Sequence, residues 1–372
     1  METITSNLLA TKYRPFVLIE QRKGEALAIS EDGEVILRST DHWKVIQETF
    51  NHYENQAKKT GVWIVLFPRD GPFIIKPGQT GIHIPCENGG RWIISSTSTL
   101  DTGTINLVHE GSGNVFENSN AYEYLTFVTI EYLQATLRSK VANGIFLQGI
   151  VNMREVVIIY DQILGKPDIK NYGIAVISGD HSLIQHCRVY GTVGGFLSQS
   201  EHLTLLNCKY DPNVEWCYDG EVGFCIPQAF NLFSVLEGYD LHGQEGRGGR
   251  HSVLIDCHVA SPDTWQGTAF WVSASTLVFP KVEGGCKIAF RNDWGQSTAI
   301  NPYFTGPEAE WMFYPPETWV IIGDAGWDIM SALDSVKMVR GGIRIVNNKV
   351  LLGRGTGSGP SYAWSVASKP LK

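Results

Sequence analysis

The chain has 372 residues, of which 43% are hydrophobic and 18% are charged, so it can bury a large core and global disorder is disfavoured. Its 39 glycines and 11% aromatic residues suit a protein of many strands and turns. A formal net charge of −8 argues against a nucleic-acid-binding protein, which needs a basic surface, and against an anionic membrane as a partner.

The first residues, METITSNLLATKYRPF, lack the basic start and apolar core of a signal peptide. No run of about 18 apolar residues predicts a membrane-spanning helix. Seven cysteines form neither a CxxC pair nor a zinc-binding spacing. We therefore expect synthesis in a reducing cytoplasm, no resident metal and no membrane insertion. Action outside the cell would then follow release, for example as part of a virion.

Residues 1–39 contain three apolar runs separated by Lys23-Gly24 and Asp32-Gly33, and Asp-Gly is a strong hairpin signal. This range is predicted to be a small β leader. An amphipathic helix follows over residues 40–60, with a cap at Thr40 or Asp41 and an end at Gly61. Its apolar residues recur at helical spacing on one face and are Trp43, Ile46, Phe50, Tyr53 and Ala57.

Short strands separated by Gly, Pro and Asn turns then continue for almost 300 residues. Three segments repeat one pattern: HSLIQHCRV, HLTLLNCKY and HSVLIDCHV each place a basic residue directly after a cysteine. Cys187 and Cys208 are 21 residues apart, and Cys208 and Cys257 are 49 apart. A period of roughly 20–25 residues is typical of one coil of a parallel β-helix.

The three cysteines are accordingly predicted to form a ladder of buried thiols rather than a metal or redox site. Two looser copies, CKIAFRNDW and IRIVNNKVL, place Asn292 and Asn348 at the cysteine position. The solenoid is predicted over residues 40–352, followed by a Gly/Ser-rich tail over 353–372.

Residues 40–110 resemble the start of the pectate-lyase-like right-handed β-helices, a family of polysaccharide lyases, hydrolases and viral tailspikes. The match is carried by the helix, by FPRDGPFI from Phe67 to Ile74 and by TGIHIP from Thr80 to Pro85. The resemblance implies an all-β fold: a right-handed parallel β-helix with an N-terminal capping helix and a small N-terminal β unit. Because function lies in the site rather than the fold, it does not choose a reaction.

Two polar segments interrupt the strand rhythm, at residues 210–224 and 239–251. Glycoside hydrolysis needs two carboxylates about 5–9.5 Å apart. The candidate carboxylates are Asp219, Glu221, Asp240 and Glu245.

A polysaccharide lyase instead needs a base and a cation that holds the uronate carboxylate. His242 or His251 could be this base, and Arg247 or Arg250 the carboxylate partner. Alternatively, all these side chains are solvated loop charges. Calcium could bind acidic loops, but no EF-hand spacing is present, so no cofactor is expected.

Eleven tryptophans include several near turns of the second half, and exposed rings can bind the apolar faces of sugars. Trp216, Trp265 and Trp271 are the candidates; the alternative is that they only cover the edges of the coils.

Three functions remain open. The first is a tailspike-like protein of a virion or cell surface that binds host glycans and could depolymerise them. The second is a polysaccharide lyase or glycoside hydrolase without a virion role. The third is a non-catalytic structural spike or capsid-associated protein. The expected partners are a surface glycan and further copies in a homo-oligomer, a trimer by the family resemblance, or other virion proteins.

Overall fold

The computed structural model describes residues 15–86, 89–96, 105–118, 126–177, 181–200, 202–212, 222–226, 251–293, 295–305, 309, 311–314, 318–322, 343–346, 349–353 and 364–366. Within these residues the strands form one sheet of 16 strands and two sheets of nine strands, here named A, B and C. Each coil contributes one strand to A, then one to B, then one to C, and pairs in parallel with the next coil. The fold is therefore a parallel β-helix, as predicted.

Sheet A contains β1 (Phe16–Arg22), β2 (Glu25–Ile29), β3 (Val35–Ser39), β4 (Val62–Phe67), β7 (Gly90–Ser96), β10 (Thr126–Glu131), β13 (Ile150–Arg154), β16 (Leu183–Gln185), β19 (Thr204–Leu206), β22 (Val253–Ile255), β25 (Thr276–Val278), β28 (Ser297–Ile300), β31 (Trp319–Ile322), β32 (Ile343–Val346), β33 (Lys349–Gly353) and β34 (Trp364–Val366). Sheet B contains β5 (Phe73–Ile75), β8 (Leu107–His109), β11 (Gln134–Leu137), β14 (Val157–Tyr160), β17 (Arg188–Tyr190), β20 (Lys209–Asp211), β23 (His258–Ala260), β26 (Lys281–Glu283) and β29 (Tyr303–Thr305). Sheet C contains β6 (Thr80–His83), β9 (Ser112–Glu117), β12 (Ala142–Gln148), β15 (Tyr172–Ile177), β18 (Gly194–Gln199), β21 (Val222–Ile226), β24 (Thr268–Val272), β27 (Ile288–Asn292) and β30 (Trp311–Tyr314).

The N-terminal unit agrees with the sequence. Strands β1, β2 and β3 are antiparallel, and the first turn falls at Lys23 and Gly24, both with positive φ. Helix α1 (His42–Lys59) begins after Asp41, whose side chain accepts a hydrogen bond from the backbone N–H of Lys44 at 3.2 Å. Its buried face includes Phe50, which packs against Trp92 in the first coils, so the helix covers this end of the core.

Equivalent inward-facing residues stack from coil to coil. Phe196, Phe224, Phe270, Phe290 and Phe313 form one ladder in sheet C, with ring centroids 4.9, 4.9, 5.3 and 5.0 Å apart. This spacing follows from the separation of about 4.8 Å between hydrogen-bonded strands. One residue type recurs at this position of sheet C because the position has similar surroundings in each of these coils.

Cys187, Cys208 and Cys257 form a second ladder and are buried, as predicted. Each follows a single residue with positive φ at the corner between sheets A and B, namely His186, Asn207 and Asp256. The thiol of Cys208 is in contact with both neighbouring thiols. Burial raises the pKa of the Cys187 and Cys257 thiols, which keeps them protonated and unreactive.

The looser repeat copy that contains Asn292 was aligned wrongly. The strand register places Pro280 and Pro302 at the cysteine position of the next coils. Asn292 instead ends β27 in sheet C, because the stretch after Cys286 is the third strand of its coil. In the second copy β32 and β33 form an antiparallel pair, and Asn348 lies outside the described residues. The range predicted as a tail also includes β34, which is antiparallel to β33.

Candidate functional site

The two polar segments identified in the sequence flank one strand. Residues 213–221 connect β20 in sheet B to β21 in sheet C, and residues 227–250 connect β21 to β22 in sheet A. Both connections therefore start or end at β21, at its opposite ends.

Most of the predicted site residues lie in these connections, outside the described residues. They are Trp216, Asp219, Glu221, Asp240, His242, Glu245, Arg247 and Arg250. Their proposed roles remain predictions.

The outer face of sheet C is apolar and buried over several coils. One register column contains Phe146, Ala175, Leu197 and Cys225, and each is at most 6% exposed. Tyr172, Ile177 and Val222 join them in a hydrophobic cluster separate from the interior of the solenoid. From β12 to β21, sheet C therefore carries packed apolar side chains on its outer face as well as on its inner face.

One coil further along, the same column becomes polar and partly exposed. Trp271 follows Cys225 in register, and Arg291 follows Trp271. The guanidinium carbon of Arg291 lies 3.9 Å from the centroid of the Trp271 ring, a close cation–π contact. The Nε1 atom of Trp271 donates a hydrogen bond to Oδ2 of Asp293 at 2.6 Å, and Nε of Arg291 donates to Oδ1 at 3.0 Å.

These three side chains, here called the Trp271 cluster, hold one another in place. The carboxylate of Asp293 uses one oxygen for each partner, while the Arg291 side chain remains 31% exposed. Tyr314 lies next in the register and is 38% exposed. The guanidinium covers one face of the Trp271 ring, and Trp271 holds Arg291 and Asp293 in place. Arg291, Asp293 and the exposed Tyr314 ring are therefore the groups that can meet a polar ligand with an apolar face, such as a sugar.

The other two described candidates lie elsewhere. Trp265 has no exposed surface and packs edge-on against Tyr210 in the core, so its ring cannot receive a ligand at the surface. His251 is exposed at the corner where the 227–250 connection enters sheet A.

His251 belongs to a column of three histidines. The ring centroids of His181 and His202 are 5.1 Å apart, and those of His202 and His251 are 5.6 Å apart, with nearly parallel planes. All three have positive φ, a region that costs a non-glycine residue energy. The register places Ala274, whose φ is also positive, at the same position of the next coil, so the histidines occupy a position that suits glycine.

The outer face of sheet B contains charged residues that the sequence analysis did not select. Arg188, Lys209, His258 and Lys281 follow one another in register and are here called the basic column. Glu283 lies beside its C-terminal end: its Oε1 is 2.5 Å from Nζ of Lys281, and its Oε2 is 3.0 Å from Nε2 of His258. The sequence contained the signal, because three of these residues directly follow the repeated cysteines.

The surroundings change the protonation of this pair. Burial lowers the pKa of His258, and the charges of Lys281 and Lys209 lower it further, whereas Glu283 opposes the change. The hydrogen bond from Lys281 lowers the pKa of Glu283. His258 is therefore a neutral imidazole near pH 7, between two lysines and beside a carboxylate.

Within the described residues, no group of three or more His, Cys, Asp or Glu side chains has an arrangement that could hold a metal ion. No described helix is long and apolar enough to cross a membrane.

Comparison with known proteins gives little further information. No family model matches the chain, and no curated protein matches it. Among solved structures, the chain is similar to ORF18 of Geobacillus virus E2, with 10% identity and a TM-score of 0.38. The match covers 86% of this chain and only 64% of that protein. At this level of similarity it carries no argument about function.

Proposed function

We propose that this protein is a tailspike-like β-helix of a virion or cell surface that binds surface glycans on the outer face of sheet C. The Trp271 cluster is the observation that carries the proposal. Its ring, guanidinium and carboxylate are fixed by two hydrogen bonds and a cation–π contact, and fixed groups lose little conformational entropy when a ligand binds.

The chain connections near the Trp271 cluster also favour the outer face of sheet C as the binding surface. The connections 213–221 and 227–250, which hold most of the predicted polar and charged candidates, border β21, and Trp271 lies on the strand that pairs with β21. In this proposal a glycan on this face contacts the Trp271 cluster, and Asp219, Glu221, Asp240, His242 and Glu245 remain the candidates for cleavage. The proposed setting is extracellular, on a virion, with the chain assembled as a homo-oligomer.

Glycan binding can be tested with the full chain on an array of bacterial surface polysaccharides, followed by affinity electrophoresis of each hit. We expect Trp271→Ala to weaken binding at least tenfold. Trp63→Ala is the matched control, because the Nε1 of Trp63 also bonds a polar side chain, Ser95 at 2.7 Å, but lies on sheet A. Failure of any glycan to bind, or equal losses in both variants, would contradict the proposal.

Cleavage is a separate measurement on any glycan that binds. A hydrolase would release reducing ends, and a lyase would also form unsaturated uronates. Asp240→Ala and His242→Ala should abolish product formation if the 227–250 connection holds the catalytic groups. Binding without any product would leave a non-catalytic adhesin or structural spike.

A further inference from the structure

The outer face of sheet B changes character at β17. In earlier coils its outward-facing residues are uncharged and buried or half-buried, as at Val108, Val157 and Ile159. From Arg188 onward the same face is exposed or half-exposed, and it carries the basic column. The neighbouring column of this face contains Tyr190, Asp211, Ala260 and Glu283.

The positive charge of the basic column is unevenly compensated. Lys281 and His258 share the Glu283 carboxylate at 2.5 and 3.0 Å, so the C-terminal end of the column is paired. Lys209 has Asp211 at 4.0 Å, the outer limit of an ion pair. Among the described residues Arg188 makes no ion pair, and its side chain is exposed. The N-terminal end of the column therefore holds positive charge that is free for a ligand.

His258 links the two ends of the column. Only 19% of its side chain is exposed, and its Nε2 lies 3.0 Å from Oε2 of Glu283, so the ring is held beside that carboxylate. Lys209 and Lys281 lie directly on either side in the register.

We propose that the basic column binds a chain of acidic polysaccharide along the axis of the solenoid, through the carboxylate or sulfate groups of successive sugars. One cationic or imidazole side chain is presented for each coil, at a spacing of about 4.8 Å. That is close to the advance of a polysaccharide by one sugar. Charge-assisted hydrogen bonds to carboxylate or sulfate are the strongest contacts that Arg and Lys make with such groups.

A nucleic acid fits this face less well. The protein carries a net charge of −8, and Asp211 and Glu283 lie alongside the column where a second row of phosphates would approach. A single narrow chain can follow one column and avoid these carboxylates. The inference does not depend on the proposed glycan site on sheet C, because it concerns a different face.

The test is binding of the full chain to polygalacturonate, heparin, neutral dextran and duplex DNA, by affinity electrophoresis at low and at physiological salt. We expect binding to at least one of the two acidic polysaccharides and none to dextran. The double variant Arg188→Gln/Lys209→Gln should weaken that binding tenfold or more and reduce its salt dependence. Both side chains are at the surface, and unchanged thermal unfolding would show that the fold is intact.

The control is Lys44→Gln/Lys140→Gln, which removes the same charge from exposed positions elsewhere and should leave binding within twofold. The proposal is overturned if neither acidic polymer binds, if the two double variants lose affinity equally, or if DNA competes as well as the polysaccharides. Loss of acidic polymer binding in Trp271→Ala, with retention in the Arg188/Lys209 variant, would also overturn it. That outcome would instead support the sheet C site.

Discussion

The outer faces of sheets B and C belong to the same coils, yet their side chains differ. On sheet C the column is apolar and buried from Phe146 to Cys225 and becomes polar at the Trp271 cluster. On sheet B the basic column begins two coils earlier, at Arg188. The residue types in an outward-facing column of one sheet therefore do not determine those in the outward-facing column of the next sheet.

The interior behaves in the opposite way. Phenylalanine is retained on five successive coils of sheet C, and cysteine on three corners. A residue inside must fit the residues directly above and below it, whereas a residue outside meets solvent or a ligand. We therefore expect substitutions inside to alter stability and substitutions outside to alter binding.

The largest effect is expected in the phenylalanine ladder. Phe270 stacks on Phe224 and Phe290 and has no exposed surface, so Phe270→Ala removes contacts on both sides. The free energy of unfolding should fall by about 3–5 kcal/mol, measured by urea denaturation. Phe270→Leu keeps most of the volume and should cost less than half as much. A loss below 1 kcal/mol for the alanine variant would show that the ladder does not act as a packed unit.

Stability should also depend on pH through His109. Its Nε2 donates to the carbonyl oxygen of Gly113 at 3.1 Å, while its buried Nδ1 has no partner in the described part of the chain. Burial lowers the pKa of His109 from 6.5 to about 4, so the folded state holds the neutral ring. The unfolded chain takes up the proton first as the pH falls.

The resulting stability is fully present above pH 6.5 and is lost as the pH falls toward 4. At 1.36 kcal/mol for each pH unit the loss reaches about 3 kcal/mol. Urea denaturation at pH 7, 5.5 and 4.5 checks this, and His109→Leu should flatten the curve. His42, whose pKa burial also lowers, will leave a residual slope. An unchanged slope in His109→Leu would contradict the assignment.

The fold could be read from the sequence because its signals are local and repeated. The capping helix has an Asp41 cap and an apolar face, and the cysteine repeat carries the period of the coil. The misplaced copy shows the limit of that approach: the cysteine position accepts Pro280 and Pro302, which no similarity to cysteine would suggest. Equivalent positions in successive coils are defined by the strand register rather than by residue type.

The candidate sites were less accessible to sequence reasoning. Trp271, Arg291 and Asp293 are spread over 23 residues, and only the pairing of β24 with β27 brings them together. Trp265 and Trp271 are six residues apart and look alike in sequence, but one faces the core and the other the outer surface. The basic column was visible in three repeats, yet its meaning depends on stacking along one face.

A smaller effect is expected at Asp293, which accepts hydrogen bonds from both Trp271 and Arg291. Asp293→Ala leaves two donors without their acceptor, but water can partly replace it at this exposed surface. The free energy of unfolding should fall by about 1 kcal/mol. Asp168→Ala, which removes an exposed aspartate 3.9 Å from Lys140, should change it by less than 0.5 kcal/mol, as for most surface ion pairs. Equal losses would mean that the Trp271 cluster is not held by Asp293.

The smallest effect is expected at the histidine column, where two variants distinguish backbone strain at positive φ from the stacking of the histidine rings. Ala274 and His202 both have positive φ, at 43° and 57°, but only His202 stacks on other rings. Ala274→Gly relieves strain alone and should stabilise the fold by up to about 1 kcal/mol. His202→Gly relieves the same strain but loses two ring contacts, each worth about 0.5–1.5 kcal/mol. Thermal unfolding should therefore show stabilisation for Ala274→Gly and none for His202→Gly. Equal stabilisation of both variants would mean that the ring stack adds nothing to the stability of the fold.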